Sequence, residues 1–209
     1  MKEKSLKKIN IEPGIKHLCK HDKILSAIIE KYGTRNLTSH RKYFNLLLGA
    51  IISQQLSVKA AESIQKRFMT HFNNKPTPDL VLATEDLTLR GFGLSNAKVK
   101  YVKDLSAKII SGDVKLKVIS KKSDDEIISE LTKVKGIGVW SAHMFLIFNL
   151  ARLNILPTGD LGIRKAVMLN YRLKKMPTEE KVEKIAHKNN WHPYCTVASI
   201  YLWQSLDSQ

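Results

Sequence analysis

VKGIGVWSAHMFLIFNLARLNILPTGD, Val134 to Asp160, decides how the chain is read. Gly136 and Gly138 flank Ile137 between two helix-forming segments, Asp124 to Thr132 and Val139 to Asn149, so a tight hairpin with positive-φ positions is expected there. Such a turn leaves backbone N–H groups without helical partners at the start of the second helix. Together with the helix dipole they form a concavity suited to an anion such as a DNA phosphate. A GxG alone is more often an ordinary turn between helices. Here it is followed by an isolated carboxylate, Asp160, after the rigid approach Leu156, Pro157, Thr158 and Gly159. Asp is a common helix N-cap, and capping is compatible with catalysis. The helix N-terminus favours the charged form of a carboxylate, so Asp160 is expected to be available to oppose positive charge developing on a sugar.

The rest of the chain reads as helix after helix. Upstream, apolar spacing predicts helices over Asp22 to Tyr32, Arg41 to Ile52 and Val58 to Phe72, the last capped by Ser57. Pro78 opens a short helix to Leu82, and Thr84 caps another that ends at Gly91. Ser95 caps a long helix from Asn96 to Ile110, stopped by Gly112, whose Lys98, Lys100, Lys103 and Lys108 read as a solvated face. Ser123 with Glu126 makes a capping box for the helix that leads into the hairpin. Downstream, Leu161 to Tyr171 is helical, Thr178 caps a helix to Lys188, and Pro193 opens a last one to Leu206. The short LKVI after Lys115 is the one candidate strand. The fold class is therefore all-α, with any pocket between packed helices.

At 209 residues and 43% hydrophobic content, the chain can bury a sizeable core. Thirty-five Lys and Arg against 19 Asp and Glu give +16, which favours a polyanion, nucleic acid first, as partner. Two cysteines, Cys19 and Cys195, are too few to hold an iron-sulfur cluster and fit a reducing compartment. The basic N-terminus has no apolar stretch after it and no run reaches membrane-spanning length, so the protein is expected in the cytoplasm with the nucleoid, or in a nucleus.

LLGAIISQQLSVKAA, GFGLSNAK, GIGVWSA, PTGDLGIRKA and WHPY, in that order along the chain, resemble the helix-hairpin-helix (HhH-GPD) DNA glycosylases, over roughly residues 17 to 204. The branch they look most like is DNA-3-methyladenine glycosylase II. That resemblance implies one two-lobed all-α glycosylase unit over 1–209, with a central lobe of about 36–140 that contains the hairpin. Residues of about 1–35 and 141–209 would form the second lobe, with the active-site cleft between the two. It implies that Gly136, Ile137 and Gly138 bind the DNA backbone and that Asp160 is the essential aspartate. Gln55, with Gln54 or Leu56 as alternates, would fill the gap left by a flipped-out base. For Gln54 an amide bonded to backbone at a helix end is an equal reading. Trp140, Tyr194 and Trp191 match aromatic positions near the base pocket, though for Trp191 core packing is the plainer reading.

The activity implied is monofunctional base excision repair: flipping out an alkylated purine such as 3-methyladenine from double-stranded DNA and hydrolysing its glycosidic bond, with the protein a monomer. Relatives that cleave the strand carry a Schiff-base lysine where this chain has Trp140, so no lyase activity is expected. No cofactor or side-chain metal site is implied, although relatives hold a monovalent cation on hairpin carbonyls. Cys195 stands where an arginine is common in this branch. Alternatives are a related glycosylase for uracil, hypoxanthine or an oxidised purine, and a DNA-binding module without chemistry.

Overall fold

The computed structural model describes residues 7–207. The described chain runs β1 (Lys7–Ile9), α1 (Glu12–His21), α2 (Lys23–Tyr32), β2 (Leu37–Ser39), α3 (Tyr43–Ser53), α4 (Val58–His71), α5 (Pro78–Ala83), α6 (Asp86–Gly91) and α7 (Asn96–Ser111). After a 3-10 turn at Ile119–Lys121 come α8 (Asp124–Leu131), α9 (Val139–Phe148), α10 (Leu161–Asn170), α11 (Glu179–Lys188) and α12 (Cys195–Gln204). The all-α expectation holds, with one small antiparallel pair, β1 against β2, in which Lys8 faces Thr38. LKVI is not a strand: it leads into the 3-10 turn, and Ile119 is buried as an anchor.

Local capping starts many of these helices. The hydroxyls of Ser57, Thr77, Ser95 and Thr178 each accept a backbone N–H of the first turn, satisfying donors that the helix itself cannot. The Ser123–Glu126 capping box is present in both directions. Thr84 is not a cap for α6, which starts after Glu85; its hydroxyl instead donates back to Leu80 O at the end of α5. Pro193 lies two residues before α12, whose cap position is Tyr194. α1 is a helix beyond those expected from the spacing, and Pro13 is well placed in its first turn.

The chain divides into two compact units. In the one formed by residues 41–142, α3 packs on α4 and α7, and α5 packs along α7. Its core includes Leu48, Ile51, Phe68, Val102 and Leu105, all essentially without exposure. Truncating a ring such as Phe68 to Ala would cost about 3–5 kcal/mol. In the other, residues 7–40 and 143–207, α12 packs on α2 and α10, and Leu18, Leu25, Val182, Trp191 and Tyr201 are at its centre. Asp22 is buried among them as the cap of α2, accepting from Ile24 and Leu25 N–H on Oδ1 and from Tyr171 hydroxyl and Trp191 Nε1 on Oδ2. Burial, then the charge and hydrogen bond of Asp22, drive the Tyr171 phenol far above its usual range.

Candidate functional site

The hairpin lies in the unit of residues 41–142. Only Gly136 takes positive φ, +83°, so the expectation of several such positions narrows to one. A side chain there is excluded twice, since a Cβ on Gly136 would lie 2.3 Å from the Tyr101 ring. Ile137 is buried and pins the turn to the core, leaving its backbone as the part available to a ligand. Gly138 is exposed, and a Cβ added to it would meet nothing within 4 Å. The protein's own packing thus does not require glycine at 138; close approach of an outside surface would. The helical ladder of α9 begins with Ala142 N–H to Gly138 O at 3.0 Å, so the amides at the start of α9 precede it, as an anion-binding turn requires.

The loop after α3 stands beside the hairpin in the same unit. Gln54 donates from Nε2 to Gly136 O at 2.8 Å, which is the backbone-bonded role for that amide. Gln55 has φ +56° and is exposed, and Leu56 is 39% exposed, so these two side chains are the ones presented outward. Lys98 is not part of a solvated face. Its Nζ is 2.7 Å from both Ile52 O and Gln54 O, and burial lowers its pKa. Lys103 pairs with Asp86 and Lys108 with Asp104, which leaves Lys100 as the plainly exposed one. Trp140, in the first turn of α9, is 51% exposed.

Asp160 lies in the other unit. It caps α10, and its Oδ1 accepts from Ile163 N–H at 2.8 Å and from Trp203 Nε1 at 2.9 Å. The approach to it is held by Asp160 N–H to Pro157 O and by Thr158 hydroxyl to Glu179 Oε2. Gly162 makes room for the arrangement: a Cβ there would be 2.9 Å from Asp160 Oδ1 and 3.1 Å from the Trp203 ring. Phe148, 46% exposed, packs against Trp203 with ring centroids 5.7 Å apart. A carboxylate oriented by two donors, with an aromatic pair beside it, can stabilise a cation at short range.

The model of the HhH-GPD superfamily of base excision DNA repair proteins matches residues 48–191, which contain both the hairpin and Asp160. The chain belongs to that superfamily. The DNA-3-methyladenine glycosylase 1 of Schizosaccharomyces pombe is 34% identical over 186 residues, 88% of this chain and 81% of that protein. The chain spans 66% of the length of a Bacillus subtilis relative that is 30% identical to it. Among solved structures, the Schizosaccharomyces pombe 3-methyladenine DNA glycosylase in complex with abasic DNA superposes with a TM-score of 0.81 at 32% identity, covering 93% of this chain and 97% of that one. A DNA-3-methyladenine glycosidase from Bacillus halodurans gives 0.84 at 31% identity, covering 95% and 92%.

Within this HhH-GPD chain, the aromatic positions near Asp160 need correcting. Trp191 is fully buried and hydrogen-bonded to Asp22, so it presents no face to a base and serves the core. Tyr194 is the cap of α12 while Trp203 lies in its last turn; at 1.5 Å per residue that separates them by roughly 13 Å. The Tyr194 ring packs instead on Gly14 and His17 of α1. It is Trp203 that meets the carboxylate, a residue no sequence motif had singled out. Cys195 is also buried, its thiol pushed up to about 12 by burial and the charge of Glu183, so an outward contact from that position is absent. Among the described residues no group of three or more His, Cys, Asp or Glu is placed to hold a metal ion, and no helix is long and apolar enough to cross a membrane.

Proposed function

We propose that the protein is a monofunctional DNA glycosylase of base excision repair that flips alkylated purines such as 3-methyladenine out of double-stranded DNA and hydrolyses their glycosidic bond. The observation that carries this reading is Asp160, fixed by Ile163 N–H and Trp203 Nε1 beside an aromatic pair. The names of the relatives support the substrate class. An N3- or N7-alkylated purine is cationic, so it leaves with the glycosidic electron pair as a neutral base and needs little acid assistance. Charge then develops on the sugar, where a nearby carboxylate lowers the barrier. Water attacks C1′, loses its proton and leaves an intact abasic strand. Phe148 and Trp203 offer faces that attract a cationic base, and unstacking is cheapest for a weakly paired one.

Hairpin amides and the basic surface would hold phosphates without reading sequence, through Gly136 to Gly138, with Gln55 or Leu56 filling the stack. Trp140 retains its proposed place near the base on the strength of the family motif. The position of the Schiff-base lysine of strand-cleaving relatives holds this tryptophan, which supports water as the nucleophile. A monovalent cation on the hairpin also belongs to the proposal: Val134 O and Gly136 O each accept one protein hydrogen bond, and a carbonyl has a second lone pair. Exchanging potassium for tetramethylammonium at constant ionic strength should then weaken duplex binding.

The test is single-turnover release of bases from a panel of single-lesion duplexes by wild type and Asp160→Asn. Alkylated purines should be excised, and the variant, which keeps size and capping ability, should lose about 10³-fold in rate, from about 4 kcal/mol for a charge ~4 Å away at an effective dielectric of ~20. Equal rates for the two proteins would remove Asp160 from the chemistry. Release of uracil, hypoxanthine or oxidised purines alone would change the substrate, and no release at all would leave a binding module. Borohydride trapping of a protein–DNA adduct would overturn the monofunctional reading.

A further inference from the structure

Along α7, three side chains at successive turns, Lys98, Tyr101 and Asp104, each hold a different part of the surface assigned to DNA. Lys98 Nζ donates to Ile52 O, in the last turn of α3, and to Gln54 O, in the loop that follows. A lysine ammonium carries three donors and no acceptor, and the C-terminal end of a helix attracts positive charge, so this cap suits its site. The Tyr101 ring supports Gly136 so closely that no Cβ fits between them. Asp104 Oδ2 accepts Lys135 N–H at 2.8 Å on the near side of the same turn. Burial pushes the Asp104 carboxyl up, but hydrogen bonds from Lys108 and from Lys135 N–H, with the charges of both lysines, outweigh it and hold the pKa down. Gln54 Nε2 to Gly136 O then closes a ring of contacts that runs from α7 to the loop, from the loop to the hairpin, and back to α7.

Gln55 is at the outer point of that ring in a left-handed conformation that costs a non-glycine residue roughly 1–2 kcal/mol. Such a conformation persists where its surroundings impose it. Lys98 holds the carbonyls on the helix side of this step, at Ile52 and Gln54, and the hairpin holds the Gln54 side chain. A hairpin that grips phosphate and a loop that fills a vacated stack must be in register with one duplex, and contact with one would then present the other.

We infer that Lys98 is a positioning residue that fixes the Gln55–Leu56 step relative to the hairpin, so that gripping the backbone and filling the gap left by a displaced base occur as one event. This rests on the glycosylase reading. The effect belongs to base displacement and not to bond cleavage. It therefore disappears when the damaged base is already unpaired.

The experiment compares wild type with Lys98→Met, which keeps the stem and loses the donors, and with Gln54→Met, which removes one bond of the ring. N7-methylguanine is placed in a paired duplex and in the same strand unpaired, with 2-aminopurine immediately 3′ to it as a fluorescent report of unstacking. For Lys98→Met, excision from the duplex should fall tenfold or more while excision from the unpaired strand changes less than twofold, and the fluorescence rise on duplex binding should be lost. Gln54→Met should act in the same direction on the duplex, with a smaller effect, and the double variant should be little worse than Lys98→Met. Melting curves establish that each variant is folded; if Lys98→Met is not, Gln54→Met carries the comparison. Equal loss on both substrates, or an unchanged fluorescence rise in a folded variant, overturns the inference. Wild-type fluorescence that rises without release of any base would instead overturn the glycosylase reading and leave the fluorescence comparison of the variants intact. No rise with wild type would overturn the gap-filling premise and the inference with it.

Discussion

Gly162→Ala tests whether the exact seat of the Asp160 carboxylate matters. The added methyl would lie 2.9 Å from Asp160 Oδ1 and 3.1 and 3.2 Å from Cδ1 and Nε1 of Trp203. Comfortable separations are ~3.5 Å, so the carboxylate must retreat by roughly 0.6 Å. It cannot swing away at no cost, because both Ile163 N–H and Trp203 Nε1 hold that oxygen. Two estimates bracket the effect on rate. A charge moved from ~4 to ~4.6 Å at an effective dielectric of ~20 loses about 0.5 kcal/mol, a factor of about 2.5. If a 1 Å misplacement costs about 10²-fold, then 0.6 Å costs about 15-fold. Stability should change little, because a stretched cap bond of about 1 kcal/mol is offset by up to about 1 kcal/mol of helix propensity. The expected result is single-turnover excision about 3- to 15-fold slower, with duplex affinity unchanged and the melting temperature within a few degrees. Wild-type rates in a folded variant would refute the claim that this geometry sets the rate.

The two hairpin glycines should separate cleanly. Gly136→Ala, with its positive φ and the Tyr101 ring at 2.3 Å, should lose about 2 kcal/mol or more of stability, whereas Gly138→Ala should melt like wild type and bind duplex more weakly in fluorescence anisotropy; the reverse pattern would contradict the roles assigned here. Asp22→Asn turns the oxygen that accepts from both Tyr171 and Trp191 into a donor, or costs α2 its cap, and should destabilise by about 2–4 kcal/mol in denaturant melts. A change below 0.5 kcal/mol, roughly the noise of such melts, would show the buried network to be dispensable. Burial holds the His143 imidazole below its ordinary pKa, so below about pH 6.5 the unfolded chain binds this proton more readily than the folded one. Its contribution to stability is complete above that pH and is lost as pH falls through the depressed folded value; His143→Gln should flatten this acid limb, and an identical limb in the variant would rule His143 out.

What could be read from sequence was what is decided locally. Ser57, Ser95, Ser123, Thr178 and Asp160 cap helices with side chains that bond three residues ahead, so their function is written in nearby positions. What was missed is decided at long range. Trp203 reaches Asp160 across 43 residues, and nothing in the periodicity of α12 distinguishes it from the other aromatics there. Lys98 sits in a run of lysines whose pattern suits a wet surface; only the folded chain shows the two carbonyls it meets. The strand pair joins residues about thirty apart through three-residue segments too short to carry an alternation. Tyr194 and Trp191 carried a motif's signature but belong to packing against α1 and around Asp22.

Asp22 also has a consequence in time. Its partners Tyr171 and Trp191 lie 149 and 169 residues further along the chain. Such separations add little to the equilibrium cost of closure, since each doubling of a loop costs only about 0.6 kcal/mol. They act on rates instead, because distant contacts form late. A ribosome completes residues 41–142 before it has made any of 143–207, and domains generally assemble as they emerge. During that interval α1 and α2 have chiefly each other to cover Leu18, Leu25 and Ile28, and α12, made last of these elements, completes the cover.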